Sequence, residues 1–252
     1  MGLSGERMTA PEWFDNYEDH FGLKGDETGE DEARFMVRAL RLGRGRRVLD
    51  APCGAGRIAV HLARAGCNVT GIDITACYLA RARRRFRSEG LKGAFLRRDM
   101  RKLDCDAEFD AVLNWQGSFG YFSDAENLDV LRRFARAVRP GGRVLIDQPN
   151  REFILRHFRA SGRRGDVRIV TRWDAHTQRA VSTWTRASGR GRRRWRMSIR
   201  LYTPAEFRRL FAQAGLRVEA IYGGLDGCEY HRGSRRIHIV GRPADRRTTH
   251  ER

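Results

Sequence analysis

The chain has 252 residues, 40% of them hydrophobic and 32% charged, a size that suits one α/β domain with an insertion and can bury a core without covalent staples. Cysteines 53, 67, 77, 105 and 228 form no C-x-x-C pair, so neither a disulfide framework nor a metal site is expected, and a reducing cytoplasm is the natural setting. The net charge of +19 keeps a phosphate-bearing partner in play, whereas the absence of a long apolar run and the polar first ten residues argue against a membrane span or a secretion signal.

Only Lys24, Lys92 and Lys102 are lysines, so a GC-rich coding bias would account for arginine over lysine but not for the surplus of bases over acids. Residues 1–44 run against that surplus, with ten acids and six bases. There Trp13, Phe14, Tyr17 and Phe21 fall at helical spacing, and a helix over 29–42 follows, with Thr28 as N-cap and acids in its first turn. The aromatic stripe suits packing on a sheet; a lid role for Tyr17 or His20 is the alternative.

Residues 46–73 organise the rest. A short apolar run, Val48-Leu49-Asp50-Ala51, breaks into Pro52-Cys53-Gly54-Ala55-Gly56; a helical pattern with Ile58, Leu62 and Ala65 on one face follows, then a second apolar run over 69–72 ends on Asp73. Strand, glycine turn, helix, strand and terminal carboxylate read as one βαβ unit that holds a nucleoside. Gly54 and Gly56 let backbone approach a ligand where a Cβ would collide, and Asp73 is placed to accept hydrogen bonds from a ribose diol. Gly54-x-Gly56-x-x-Ala59 also satisfies a relaxed dinucleotide fingerprint, which leaves an NAD-linked enzyme as an option. Asp50 points elsewhere, because a carboxylate just before the glycine turn repels a pyrophosphate but receives an ammonium.

Farther along, a helix over Ala76–Ser88 carries Arg81, Arg83, Arg84, Arg85 and Arg87 on a solvated face, and strands follow at Gly93–Arg97 and Phe109–Asn114. Asn114-Trp115-Gln116-Gly117-Ser118-Phe119-Gly120-Tyr121-Phe122 is an aromatic loop at the carboxyl edge of the expected sheet. A helix over 124–138, with Leu128, Leu131, Phe134, Ala135 and Val138 inward, leads through Pro140-Gly141-Gly142 into a fifth strand. Period-two patterns in three short runs between 167 and 201 predict a three-stranded antiparallel sheet, one face apolar and the other cationic through Arg168, Arg172, Arg194, Arg196 and Arg200. Thr203-Pro204-Ala205-Glu206 opens a helix with a capping box, and strands over 216–222 and 236–241 form a closing hairpin whose loop carries His231.

The segments Val48-Leu49-Asp50-Ala51-Pro52-Cys53-Gly54-Ala55-Gly56, Gly71-Ile72-Asp73-Ile74 and Phe95-Leu96-Arg97-Arg98-Asp99-Met100 resemble, in order, the three cofactor motifs of the class I S-adenosylmethionine-dependent methyltransferases. Pro52 stands where that family usually has its first glycine. The resemblance implies an α/β, Rossmann-like fold with a seven-stranded, mostly parallel sheet, a reversed last strand and a small antiparallel insertion after the fifth strand. It divides the chain into a helical lid segment (1–44), a cofactor-binding core (45–150), a β cap (151–202), the C-terminal part of the core (203–243) and a disordered tail (244–252). S-adenosylmethionine is the implied cofactor. Asp50, Ala51, Cys53, Gly54 and Gly56 would line its amino-acid end, Asp73 and Ile74 its ribose, Asp99 and Met100 its adenine, and Asn114 and Trp115 its methyl end. Gln116 is the candidate for methyl transfer and His231, or His20, for a general base, with Tyr121 and Phe122 on the acceptor side. The loop lacks the [Asn/Asp]-Pro-Pro-[Tyr/Phe] motif of enzymes that methylate exocyclic base amines. The expected activity is methylation of an O, N or C nucleophile on a small molecule, an anionic one if the arginines engage it. The alternatives are an RNA methyltransferase that grips phosphates with the basic sheet and a non-catalytic S-adenosylmethionine-binding protein.

Overall fold

In a computed structural model, which describes residues 29–188 and 191–244, the chain forms two sheets. Helix α1 (Gly29–Ala39) precedes β1 (Arg47–Asp50), α2 (Arg57–Arg64), β2 (Asn68–Asp73), α3 (Ala76–Ser88), β3 (Gly93–Arg97) and β4 (Phe109–Asn114). Then come α4 (Asp124–Ala137), β5 (Val138–Pro149) and the short α5 (Arg151–Arg156). Strands β6 (Ser161–Arg164), β7 (Val167–Asp174), β8 (Arg179–Ser188) and β9 (Gly191–Arg200) form the second sheet, and α6 (Pro204–Gln213), β10 (Leu216–Tyr222) and β11 (Arg236–Pro243) complete the first. Trp13, Phe14, Tyr17, His20, Phe21 and Thr28 lie outside the described residues, as does the tail beyond Ala244. Ala244 itself donates its N–H to the Gly215 carbonyl.

The main sheet runs β10-β11-β5-β4-β1-β2-β3, parallel except for β11, which is antiparallel to both neighbours. Its central strands are buried on both faces, which is why β1, β4 and β5 read as continuous apolar runs. Leu49, Val112, Val144 and Ile146 pack under α4 and α6, while Val48, Leu113, Leu145 and Val240 pack under α1, α2 and α3. Helix α4 turns Asn127, Val130, Leu131, Phe134 and Ala137 inward, a stripe rotated from the expected one; Leu128 and Ala135 sit at its margin, and Val138 begins β5. Ala65 ends α2 as an exposed cap residue instead of packing with Ile58 and Leu62.

The second sheet has four strands, not three. β6 adds to the edge of β7, and its Ser-Gly-Arg-Arg sequence, exposed throughout, carries no hydrophobic alternation that would betray it. Arg163, Arg168, Arg172, Arg194 and Arg196 are exposed on one face, as expected. Arg200 is not. It is 7% exposed, donates from Nη2 to Glu206 Oε1 at 2.6 Å and lies over the Tyr202 ring. Glu206 also closes the α6 capping box with Thr203 and meets Arg151 Nη1 at 3.1 Å, so a helix cap doubles as the anchor for the base of the second sheet. Arg179 completes that anchor, donating to the carbonyls of Gly120, Tyr121 and Phe122.

Candidate active site

The carboxyl edge of the main sheet collects the charged groups. Asp50 ends β1 and Asp73 ends β2, and both are buried, at 2% and 6% exposure. The Gly54 N–H donates to Asp73 Oδ2 at 2.9 Å and the Thr75 N–H to Oδ1 at 2.8 Å, which locks the turn against the strand. Burial raises the Asp73 carboxyl above its ordinary value despite these donors. Burial, and then the neighbouring Asp73, pushes Asp50 up to about 8, with Arg57 opposing. Two buried carboxyl groups held this way, with only the Arg57 guanidinium opposing at Asp50, favour an incoming cation.

The two turn glycines have different tasks. A Cβ on Gly54, at φ 52°, would meet nothing within 4 Å, so the turn presents open space beside the two carboxylates. Gly56, at φ 75°, faces the protein instead, because its Cβ would lie 3.0 Å from that of Ala82 on α3. Gly54 thus leaves the turn open, whereas Gly56 permits close packing of the turn on a helix.

Other candidates are committed internally. Cys53 donates its N–H to Ile72, accepts from Gly56 and turns its buried thiol onto Gly71, so no free group of it faces the turn. The fully buried Ala51 carbonyl accepts from Asn114 Nδ2 at 2.8 Å. Asn114 Oδ1 is buried and without a partner, an acceptor held ready beside Met100, whose Sδ lies 3.5 Å from Nδ2. The Ile74 carbonyl accepts from Arg97 Nε. Asp99 caps the one-turn helix Met100–Lys102 and is chelated by Arg101, whose hydrogen bonds outweigh partial burial and lower its carboxyl.

The loop after β4 splits in a way its composition does not reveal. Phe119 packs with Tyr202 and Phe207 in the core under α6, and Phe122 lies half-buried beneath Arg101. The Tyr121 carbonyl receives Arg179. Tyr121 and Phe122 thus sit at the foot of the second sheet and not on the side of Trp115. Trp115 is 4% exposed, stacked on His238 at 4.9 Å and tilted against Phe35. Gln116, at φ 61°, is exposed and donates from Nε2 to Glu32 Oε1 at 2.9 Å.

A cavity of about 220 Å³ opens here, lined by Glu32, Trp115, Gln116, Gly223, Gly224, Leu225, Arg235, Arg236 and His238. His231 is not among its walls; it is exposed, and its Nδ1 accepts from the Gly233 N–H in a local turn. Behind the cavity Asp147, at the end of β5, is fully buried; it receives Arg236 Nε at 2.7 Å and Nη2 at 2.5 Å and the Gly117 N–H at 3.2 Å, and lies 3.1 Å from His238 Nδ1 without a hydrogen bond to it. Sheet register places Asp50, Trp115, Asp147 and His238 on the same face. Glu32 links the two halves: it ion-pairs with Arg57, the guanidinium that faces Asp50, and accepts from Gln116 at the cavity. Sequence reading overlooked Glu32, Asp147, Arg236 and His238. A signal existed in Val144-Leu145-Ile146-Asp147, which repeats the pattern of an acid closing an apolar strand seen in Val48-Leu49-Asp50, and in the polar interruption of Ile237-His238-Ile239.

Among the described residues no cluster of His, Cys, Asp and Glu could hold a metal, and no helix is long and apolar enough to cross a membrane. A family profile described as "Methyltransferase domain" matches residues 48–142. The chain is 31% identical over 135 residues to a glycine/sarcosine N-methyltransferase of Halorhodospira halochloris, covering 52% of this chain and 50% of that protein. It is 30% identical over 192 residues to the dTDP-3-amino-3,4,6-trideoxy-alpha-D-glucopyranose N,N-dimethyltransferase of Streptomyces venezuelae, covering 71% and 79%. The chain spans about half the length, or less, of several curated relatives it matches. In fold it is similar to the CcbJ methyltransferase from Streptomyces caelestis, with a TM-score of 0.77 at 20% identity over 92% of this chain and 96% of that one.

Proposed function

Because the chain belongs to the class I S-adenosylmethionine-dependent methyltransferases, we propose that it transfers the donor's methyl group to the amine nitrogen of a small-molecule acceptor. The observation that carries this reading is the pair of buried carboxylates, Asp50 and Asp73, on either side of the open turn at Gly54. When bound, S-adenosylmethionine supplies a methyl group activated by a sulfonium. Asp73 and Ile74 would hold the ribose, Asp50 would favour the cationic amino-acid end, and Met100 would flank the adenine. Asp99 shares its oxygens with Arg101, so a contact to the adenine amino group would use its remaining lone pairs.

The cavity beside Gln116 suits the acceptor. Glu32 gives it a carboxylate that attracts an ammonium, and Arg235 and Arg236 give it a cationic side for an anionic substituent. Amine acceptors in the names of two relatives support nitrogen as the nucleophile. Holding acceptor and donor in line supplies most of the help such a reaction needs, for which roughly 7–11 kcal/mol is available. Free thiols, with Cys53 and Cys67 buried, agree with a reducing cytoplasm as the setting.

Calorimetry with S-adenosylmethionine, together with formation of S-adenosylhomocysteine from glycine, sarcosine or a nucleotide-linked aminosugar, tests the reading. Gln116→Ala should leave donor affinity within about twofold and slow turnover about tenfold, since the variant frees Glu32 without touching the turn. A loss of affinity with unchanged turnover of the bound complex would reverse the placement of Gln116.

Exposed arginines of the second sheet, among them Arg163, Arg168, Arg172, Arg194 and Arg196, favour one second reading, in which RNA phosphates bind that face. RNA affinity that falls steeply between about 0.05 and 0.2 M salt would support it; no retention at about 0.15 M salt would remove it.

A further inference from the structure

We infer that His238 is the general base that takes a proton from the acceptor ammonium, oriented for that task by Asp147; this rests on the amine reading above. Nδ1 lies 3.1 Å from Asp147 Oδ1, close enough for an ion pair but off the line of a hydrogen bond, and Arg236 lowers the Asp147 carboxyl against the burial that would raise it. That carboxylate favours the proton on the nearer nitrogen, Nδ1, and the lone pair on Nε2. His238 is only 2% exposed, yet it is a wall of the cavity; among the described residues neither ring nitrogen makes a hydrogen bond, and Nδ1 is the one that is fully buried. Trp115, stacked on one side of the ring at 4.9 Å, and Phe35, tilted against it at 5.2 Å, hold the imidazole in one plane.

The location matches the chemistry. Asp50 and His238 lie on the same face of strands three steps apart, β1 to β4 to β5 to β11, and two residues out of register, hence about 16 Å between backbones. An acceptor between them spans the gap. The other charged or titratable groups facing the ring are Glu32 on α1, Arg235 and Arg236 on β11 and its approach, and Tyr222, the cross-strand partner on β10. Glu32 draws the ammonium in, and the arginines give the cavity a cationic side. The step balances simply. An N–H bond of R–NH₃⁺ breaks, an Nε2–H bond forms, and the nitrogen lone pair is freed to attack; an alkyl ammonium in the lysine range holds almost no free lone pair at neutral pH without such a base.

The test uses the full chain in two measurements. Nitrogen-15 correlation spectra of histidine-labelled protein, with His238→Gln used to assign the signal, should show His238 protonated on Nδ1 and bare on Nε2. In steady-state kinetics with S-adenosylmethionine and glycine, sarcosine or a nucleotide-linked aminosugar, His238→Gln should lower kcat/KM about 10²–10⁴-fold and remove the ascending acid limb of its pH profile, with donor affinity preserved. A merely structural histidine would move melting temperature but not that limb. An Nε2–H tautomer, or a variant that keeps the limb, overturns the assignment. A wild-type chain that binds the donor but converts no amine instead sinks the amine reading, and the proton's source with it.

Discussion

Asp50→Asn is expected to stabilise the ligand-free chain at pH 7–8 while weakening S-adenosylmethionine about 30-fold or more. Asp50 is almost wholly buried, beside Asp73, and burial raises its carboxyl from 3.8 to about 8. Between those two values the folded chain keeps a proton that the unfolded chain has released. Folding stability therefore falls as pH rises from about 4 to about 8, since the unfolded state binds fewer protons there. Asparagine cannot ionise and escapes the penalty. The gain should read as about 2–4 °C in melting temperature for each kcal/mol recovered, growing from pH 5 to pH 8. The same change removes the charge that a cationic ligand needs, and donor binding in the wild type should tighten with pH across this window as Asp50 ionises. Thermal melts at pH 5, 6.5 and 8, with and without donor, decide it. A variant that binds as the wild type does would mean that Asp50 is a structural carboxylic acid and not part of the cofactor site.

Asp147→Ala should be the most destabilising single substitution of the charged groups at this edge, by about 3–5 kcal/mol. It leaves the Arg236 guanidinium, the Gly117 N–H and the His238 ring without their common partner inside the protein. Burial alone would raise the Asp147 carboxyl, but Arg236 first and His238 next hold it below the ordinary value of 3.8. Its contribution is thus present from about pH 4 upward and is lost only as pH falls through that lowered value. The difference between wild type and variant in urea midpoint should be full at pH 7 and shrink only in stronger acid. Asp147→Asn, which keeps the shape and some of the acceptors, should cost less. Equal midpoints at pH 7 would show that the Arg236–Asp147 pair only breaks even against desolvation.

The order of strands and helices in the core was legible because each boundary is written locally. The α3 helix and strands β3 and β4 fall where periodicity and apolar runs put them, and the Thr203 capping box forms with both of its reciprocal bonds. Acids that close apolar strands marked Asp50 and Asp73 as site residues. Burial and ring contacts were not legible, since neighbours from distant parts of the chain set them. Arg200 looked like one more outward arginine, but Glu206 and Tyr202 draw it inside. Trp115, Phe119 and Phe122 are equivalent on paper, yet they separate onto opposite faces of the sheet.

Sequence by itself determined the βαβ unit, the two strand-ending carboxyl groups Asp50 and Asp73 and the fold that carries them, because turn glycines, apolar runs and strand-ending acids act over a few residues. Only the tertiary structure decided that Gly56 packs on Ala82, that His231 is not a wall of the cavity, and that Glu32 and His238 line one cavity with Asp147 behind it. Those three residues lie more than 80 positions apart, on α1, β5 and β11, and nothing local to any of them records the strand register and helix packing that bring them together.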